Sequence, residues 1–136
     1  MKICADTWFL VEIIDKEKSA IRLLEEIEKG SHELYLSAIS IAEILTILYQ
    51  KGKAQLAENI YAYILSTDHI HLISITPDMC VKLAKIKHSF GLSLVDAAML
   101  TAYKISGAEV FIAKDSDYIN AVKQNYVEVK SPKDLI

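Results

Sequence analysis

Asp96 is the only charge in a stretch, Leu92 to Tyr103, that is otherwise apolar or small. A carboxylate on so apolar a helix is costly unless something pairs with it. Other acids stand at similar junctions: Asp6 after the apolar run Lys2–Ala5, Glu43 three residues after Ser40, and Asp115 and Asp117 after Val110–Ala113. Each has a structural reading of its own. Asp6 and Asp115 suit the N-cap of a helix that follows a strand. Ser40–Glu43 fits a capping box, Ser93–Asp96 a near relative of one, and Asp117 a first helical turn, where the dipole favours negative charge. Together they suit a different chemistry. Hard carboxylate oxygens, with no Cys or His among them, match Mg²⁺ or Mn²⁺, and an ion held this way activates water against a phosphodiester.

Whether these acids meet depends on the elements that carry them. Lys2–Ala5 reads as a first strand and Trp8–Ile14 as a short helix. Residues 18–29 place Ala20, Leu23, Leu24 and Ile27 on one face of a helix that Gly30 closes. Leu34–Leu36 reads as a strand, Ile41–Tyr49 as a helix, and Ala54–Leu65 as its antiparallel partner, with Tyr49, Tyr61 and Tyr63 as core or interface aromatics. His69–Ile75 reads as a strand. Its two histidines, His69 and His71, share a face but lack a third ligand at zinc spacing, so they read as edge histidines. Thr76-Pro77 opens a helix that buries Met79, Leu83, Ile86 and Phe90 and leaves Lys82, Lys85, Lys87 and His88 to solvent. Gly91 ends it, the Asp96 helix follows, and Gly107 is a natural stop. Val110–Ala113 is a third apolar strand, a short helix runs to Val122, Tyr126–Val129 is a last strand, and Pro132 begins a tail. Strands alternating with helices, without repeat or linker, predict one domain over residues 1–136. Its class is α/β: a short, mostly parallel central sheet between two helical layers.

In such a sheet the carboxyl ends of strands and the amino ends of helices share one rim. Acids at those ends would face each other if their strands are neighbours. Like charges about 5 Å apart repel by about 3 kcal/mol at an effective dielectric near 20. Capping contributes only about 1 kcal/mol, and Ser, Thr or Asn would cap without the repulsion. A convergent set therefore calls for a cation.

A net charge of −3 excludes bulk-electrostatic binding of nucleic acid, so any nucleic acid must be met by a local basic face or a bound ion. A hydrophobic fraction of 52% and mean hydropathy of +0.24 predict a sizeable core plus apolar surface for a partner. Cys4 and Cys80 make no disulfide framework, and Cys4 reads as a buried thiol. With no signal-type segment and no apolar run of membrane-spanning length, the expected location is cytoplasmic.

Four motifs now stand in order: Asp6-Thr7, Ile39-Ser40-Ile41-Ala42-Glu43, Leu92-Ser93-Leu94-Val95-Asp96-Ala97 and Asp115-Ser116-Asp117-Tyr118. In order and placement they resemble the PIN domain, and most closely the small VapC-like toxins of toxin–antitoxin pairs. The resemblance covers essentially the whole chain. It implies a Mg²⁺- or Mn²⁺-dependent endoribonuclease, a homodimer, and an antitoxin that covers the site. By the same likeness Asp6, Glu43, Asp96 and Asp115 would be the catalytic acids. Asp6 and Asp96 would hold the ion together with Asp115, or with Glu43 in its stead. Thr7 would bond a ligand carboxylate or the scissile phosphate, and Asp117 would be an outer member. Ala113 departs from the pattern, standing where many relatives carry Thr or Ser. Two rivals remain at this point: a non-catalytic PIN-like module that binds RNA or protein, and a receiver-type signalling domain, which also gathers acids at a sheet rim.

Overall fold

The strands carry apolar residues on both sides, as a sheet covered on both faces requires. A computed structural model describes residues 1–136. In chain order the elements are β1 (Lys2–Ala5), α1 (Thr7–Ile14), α2 (Lys18–Glu28), β2 (Glu33–Ser37), α3 (Ala38–Gln50), α4 (Ala54–Ser66), β3 (Ile70–Ile73), α5 (Cys80–Phe90), α6 (Leu94–Ser106), β4 (Val110–Ile112), α7 (Ile119–Lys123) and β5 (Val129–Lys130). Tight 3₁₀ turns span Pro77–Met79, Asp115–Tyr118 and Pro132–Leu135. All five strands are parallel, in the order β3-β2-β1-β4-β5.

Side-chain alternation along β1 sorts the two helical layers. Ile3 and Ala5 join Leu34, Leu36, Ile70, Val110 and Ile112 in a core covered by α1 to α4. Cys4 and Phe111 point the other way, into a core formed with α5, α6 and α7. The result is the three-layer α/β/α sandwich that the sequence predicts. A receiver-type sheet runs 2-1-3-4-5 instead, so that rival is set aside. No helix is long and apolar enough to cross a membrane.

The connections fix what the site needs. From β1 the chain builds outward through β2 to β3, then returns to place β4 on the other side of β1. The strand order therefore reverses between β1 and β4, the kind of point where open α/β sheets bind ligands. The helices α5 and α6 pack against each other, joined through Gly91 at a left-handed φ of +65° that costs glycine little.

Several boundaries differ from expectation for local reasons. The capping box predicted at Ser40–Glu43 does not form. Ser37, ending β2, accepts the Ile39 N–H at 3.2 Å, so α3 starts a turn earlier and Ser40 lies inside it. Thr76-Pro77 opens a 3₁₀ turn, with α5 following from Cys80. The last strand shrinks to Val129–Lys130. The tail coils into a turn that packs its Leu135 against the α1–α4 core.

The two histidines of the β3 edge do find a third polar group. Glu33 on β2 reaches His69 Nδ1 at 2.6 Å and His71 Nε2 at 3.0 Å, and His71 stacks on Tyr35. This cluster stiffens the outer strand pair. Gly30, at φ +86°, lies under it, and a Cβ there would come within 3.0 Å of His69 Nε2. Gly30→Ala is therefore expected to cost about 1–2 kcal/mol in urea unfolding. An unchanged midpoint would contradict this.

Candidate active site

Asp6 follows the last residue of β1, and its backbone N–H still bonds the Ile112 carbonyl of β4 at 3.0 Å. That bond holds it at the reversal point of the sheet. Asp6 caps α1 as the sequence predicts, its Oδ1 accepting the Trp8 N–H. Its other oxygen, Oδ2, accepts the hydroxyl of Tyr118 at 3.0 Å. The carboxyl is 5% exposed, and burial pushes its pKa up from 3.8 to about 6. The Trp8 N–H and Tyr118 O–H oppose that rise, whereas the charges of Asp96 and Asp117 add to it.

Asp96 sits in the first turn of α6. Ser93 caps that helix by accepting the Asp96 N–H at 3.1 Å, so the predicted Ser93–Asp96 cap forms. Burial raises the Asp96 carboxyl, and the charges of Asp117 and Glu43 raise it further. Hydrogen bonds from Ser93 and Tyr118 pull the other way. Asp6, Asp96, Glu43 and Asp117 thus act on one another across four segments of the chain. Glu43 is half-buried on α3, and Asp117 is exposed. Asp115 is also exposed, at the start of its 3₁₀ turn. It makes no capping bond and is not among the charges acting on Asp6 or Asp96. Thr7 is buried, and its hydroxyl is turned toward Met99 Sδ at 3.4 Å.

Tyr118 is the group that motif reading passed over. It is fully buried, packed edge-on against Phe111 at 5.0 Å, with its hydroxyl among the acids. The usable signal was the residue type. A buried tyrosine needs a hydrogen-bond partner that a phenylalanine does not.

The chain's ion pairs all lie elsewhere, so no Lys or Arg neutralises these acids. Their only close donors are neutral: a backbone N–H, a serine hydroxyl and a tyrosine hydroxyl. Oxygen donors without thiolate or imidazole match a hard divalent ion. No three of the groups stand close enough to enclose an ion as they are. On α3, one turn before Glu43 in the helix, Ser40 Oγ is fully buried without a hydrogen-bond partner.

A family model described as the PIN domain matches residues 3–124. The chain belongs to the PIN-domain family. Solved structures of similar fold include VapBC2 from Rickettsia felis bound to a DNA fragment from their promoter, at TM-score 0.75 and 14% identity, covering 96% of this chain and 98% of that one. Another is VapC20 from Mycobacterium tuberculosis, described as a sarcin–ricin loop cleaving toxin, at TM-score 0.70 and 21% identity, covering 88% and 94%. A third is a toxin–antitoxin complex from Klebsiella pneumoniae, at TM-score 0.69 and 16% identity, covering 96% and 97%. A sequence search of curated proteins finds no match.

Burial of Asp6 in this PIN domain has a measurable sign. Between its ordinary pKa of 3.8 and the folded value of about 6, the folded state binds more protons than the unfolded state. Metal-free stability should therefore fall as pH rises through that window, by up to about 3 kcal/mol. Asp6→Asn removes the effect. In EDTA it should melt above the parent at pH 7, and the two melting curves should converge near pH 4. Equal melting at pH 7 would contradict the account.

Proposed function

We propose that this PIN domain is a divalent-metal-dependent endoribonuclease and the toxin of a toxin–antitoxin pair. The observation that carries the reading is a buried carboxylate, Asp6, at the reversal point of a PIN sheet, with the half-buried Asp96 and the exposed Asp117 acting on it and no cationic side chain paired with them. A bound Mg²⁺ or Mn²⁺ would supply Lewis acidity and lower the pKa of attacking water. Asp6 and Asp96 would hold it, with Asp117 in preference to Asp115 as the third acid, because Asp117 is the one whose charge acts on both. Glu43, half-buried at the mouth, is suited to accept a proton from the water as it attacks phosphorus. Thr7 in this reading positions α1 against Met99 rather than contacting phosphate.

The toxin reading draws on the likeness to toxin–antitoxin structures, and RNA as substrate on the VapC20 description. It implies an antitoxin partner and a cytoplasmic setting. A homodimer is supported by an apolar groove of about 570 Å³ beside the acids. Ile39, Leu83, Val95 and Ala98 line it, together with the exposed Ile75 and Leu94. Leu94→Glu should convert a dimer to a monomer in light scattering; an unchanged mass would place the interface elsewhere.

The test of activity is incubation of antitoxin-free protein with structured RNAs, with Mn²⁺ or with EDTA. Cleavage is expected only with metal, and Asp96→Asn should lower it by on the order of 100-fold or more. Metal-independent cleavage would overturn the mechanism. RNA binding without cleavage by the parent would make this PIN domain a binding module.

A further inference from the structure

The Tyr118 hydroxyl is the one side-chain donor to Asp6, bonding its Oδ2 at 3.0 Å, and the charge of Asp96 lies close enough to act on both groups. The ring that carries it is wholly buried, wedged edge-on against Phe111 of β4, so the hydroxyl reaches the carboxylates from the protein interior. Asp6 Oδ1 is meanwhile held by the Trp8 N–H. Both oxygens of Asp6 thus have one lone pair engaged, and rotation of the carboxylate about χ2 would break two bonds at once.

We propose that Tyr118 is a positioning residue, whose hydroxyl fixes the orientation of Asp6 so that this carboxylate is set to receive a divalent ion. This rests on reading the acid cluster as an ion site. The physical reason is general: a ligating carboxylate free to rotate loses conformational entropy when it binds, whereas one already held by hydrogen bonds does not. The hydroxyl is also neutral, so it holds the carboxylate without adding a cation that would compete with the metal. A lysine in its place would neutralise the site and discourage an ion.

Tyr118→Phe removes one oxygen and leaves the hole filled, so the fold is retained. Binding of Mn²⁺ alone, followed by loss of the free-ion electron paramagnetic resonance signal at constant pH, reads the effect without any RNA. The variant should bind Mn²⁺ about 10- to 100-fold more weakly than the parent. Tyr103→Phe is the control for simple loss of a buried tyrosine hydroxyl. That hydroxyl lies toward the far end of α6, where it bonds the Glu109 carbonyl, and its removal should leave Mn²⁺ affinity unchanged. In a double-mutant cycle, Tyr118→Phe should have little further effect on an Asp6→Asn background. If the parent binds Mn²⁺ and Tyr118→Phe binds it equally well, or more tightly, the positioning role is overturned while the ion site stands. If the parent binds no Mn²⁺, the ion site itself fails and the role falls with it. Should Tyr118→Phe not fold, the near-ultraviolet difference spectrum of the parent decides instead. Mn²⁺ binding should perturb a buried tyrosine band, that perturbation should be absent in Asp6→Asn, and its absence in the parent would overturn the coupling.

Discussion

A buried carboxylate held only by neutral donors sets the terms for this molecule. Asp6 loses most of its water on folding and regains two hydrogen bonds, from Trp8 and Tyr118, while like charges from α6 and the turn after β4 gather beside it. A charge in such surroundings is stable only if it is protonated or if a cation joins it. The acid-raised pKa and the unpaired neighbours are two expressions of the same constraint. In the metal-free chain, protonation is the available remedy, and it is incomplete at neutral pH.

The rest of the architecture can be understood as the scaffold for that constraint. Five parallel strands bring residues far apart in the chain to one rim, and the reversal between β1 and β4 opens it. The Ile112 carbonyl ties Asp6 to β4, from whose end the chain runs directly into the turn carrying Asp117 and Tyr118. On the other side, α6 is anchored in the second core from Ala97 to Tyr103, directly after the turn that carries Asp96. Two helix-bearing segments and one short connection therefore bring together charges that would otherwise push them apart.

Much of this was legible in the sequence, because apolar runs broken by lone acids are a strong signal. The alternation of strands and helices gave the layers, and the acids at their junctions gave the rim. What spacing alone could not decide were choices between neighbours of similar chemistry. Ser37 and Ser40 are both able to cap, and only the length of β2 decides that Ser37 does so. Asp115 and Asp117 are two residues apart on a tight turn, and the turn's geometry, which no spacing rule captures, directs the charge of Asp117 at the site. Tyr118 was readable only as an aromatic, since its hydroxyl matters through a partner 112 residues away. Glu33 was invisible as a partner for His69 and His71 for the same reason: strand pairing, not sequence distance, brings it there.

The most direct measurement of the central claim is anomalous diffraction from crystals soaked in Mn²⁺. A single strong peak, or a close pair, among Asp6, Asp96 and Asp117 is the predicted result. A crystal in which manganese leaves those acids empty, or settles instead at the His69–Glu33–His71 cluster, would contradict it.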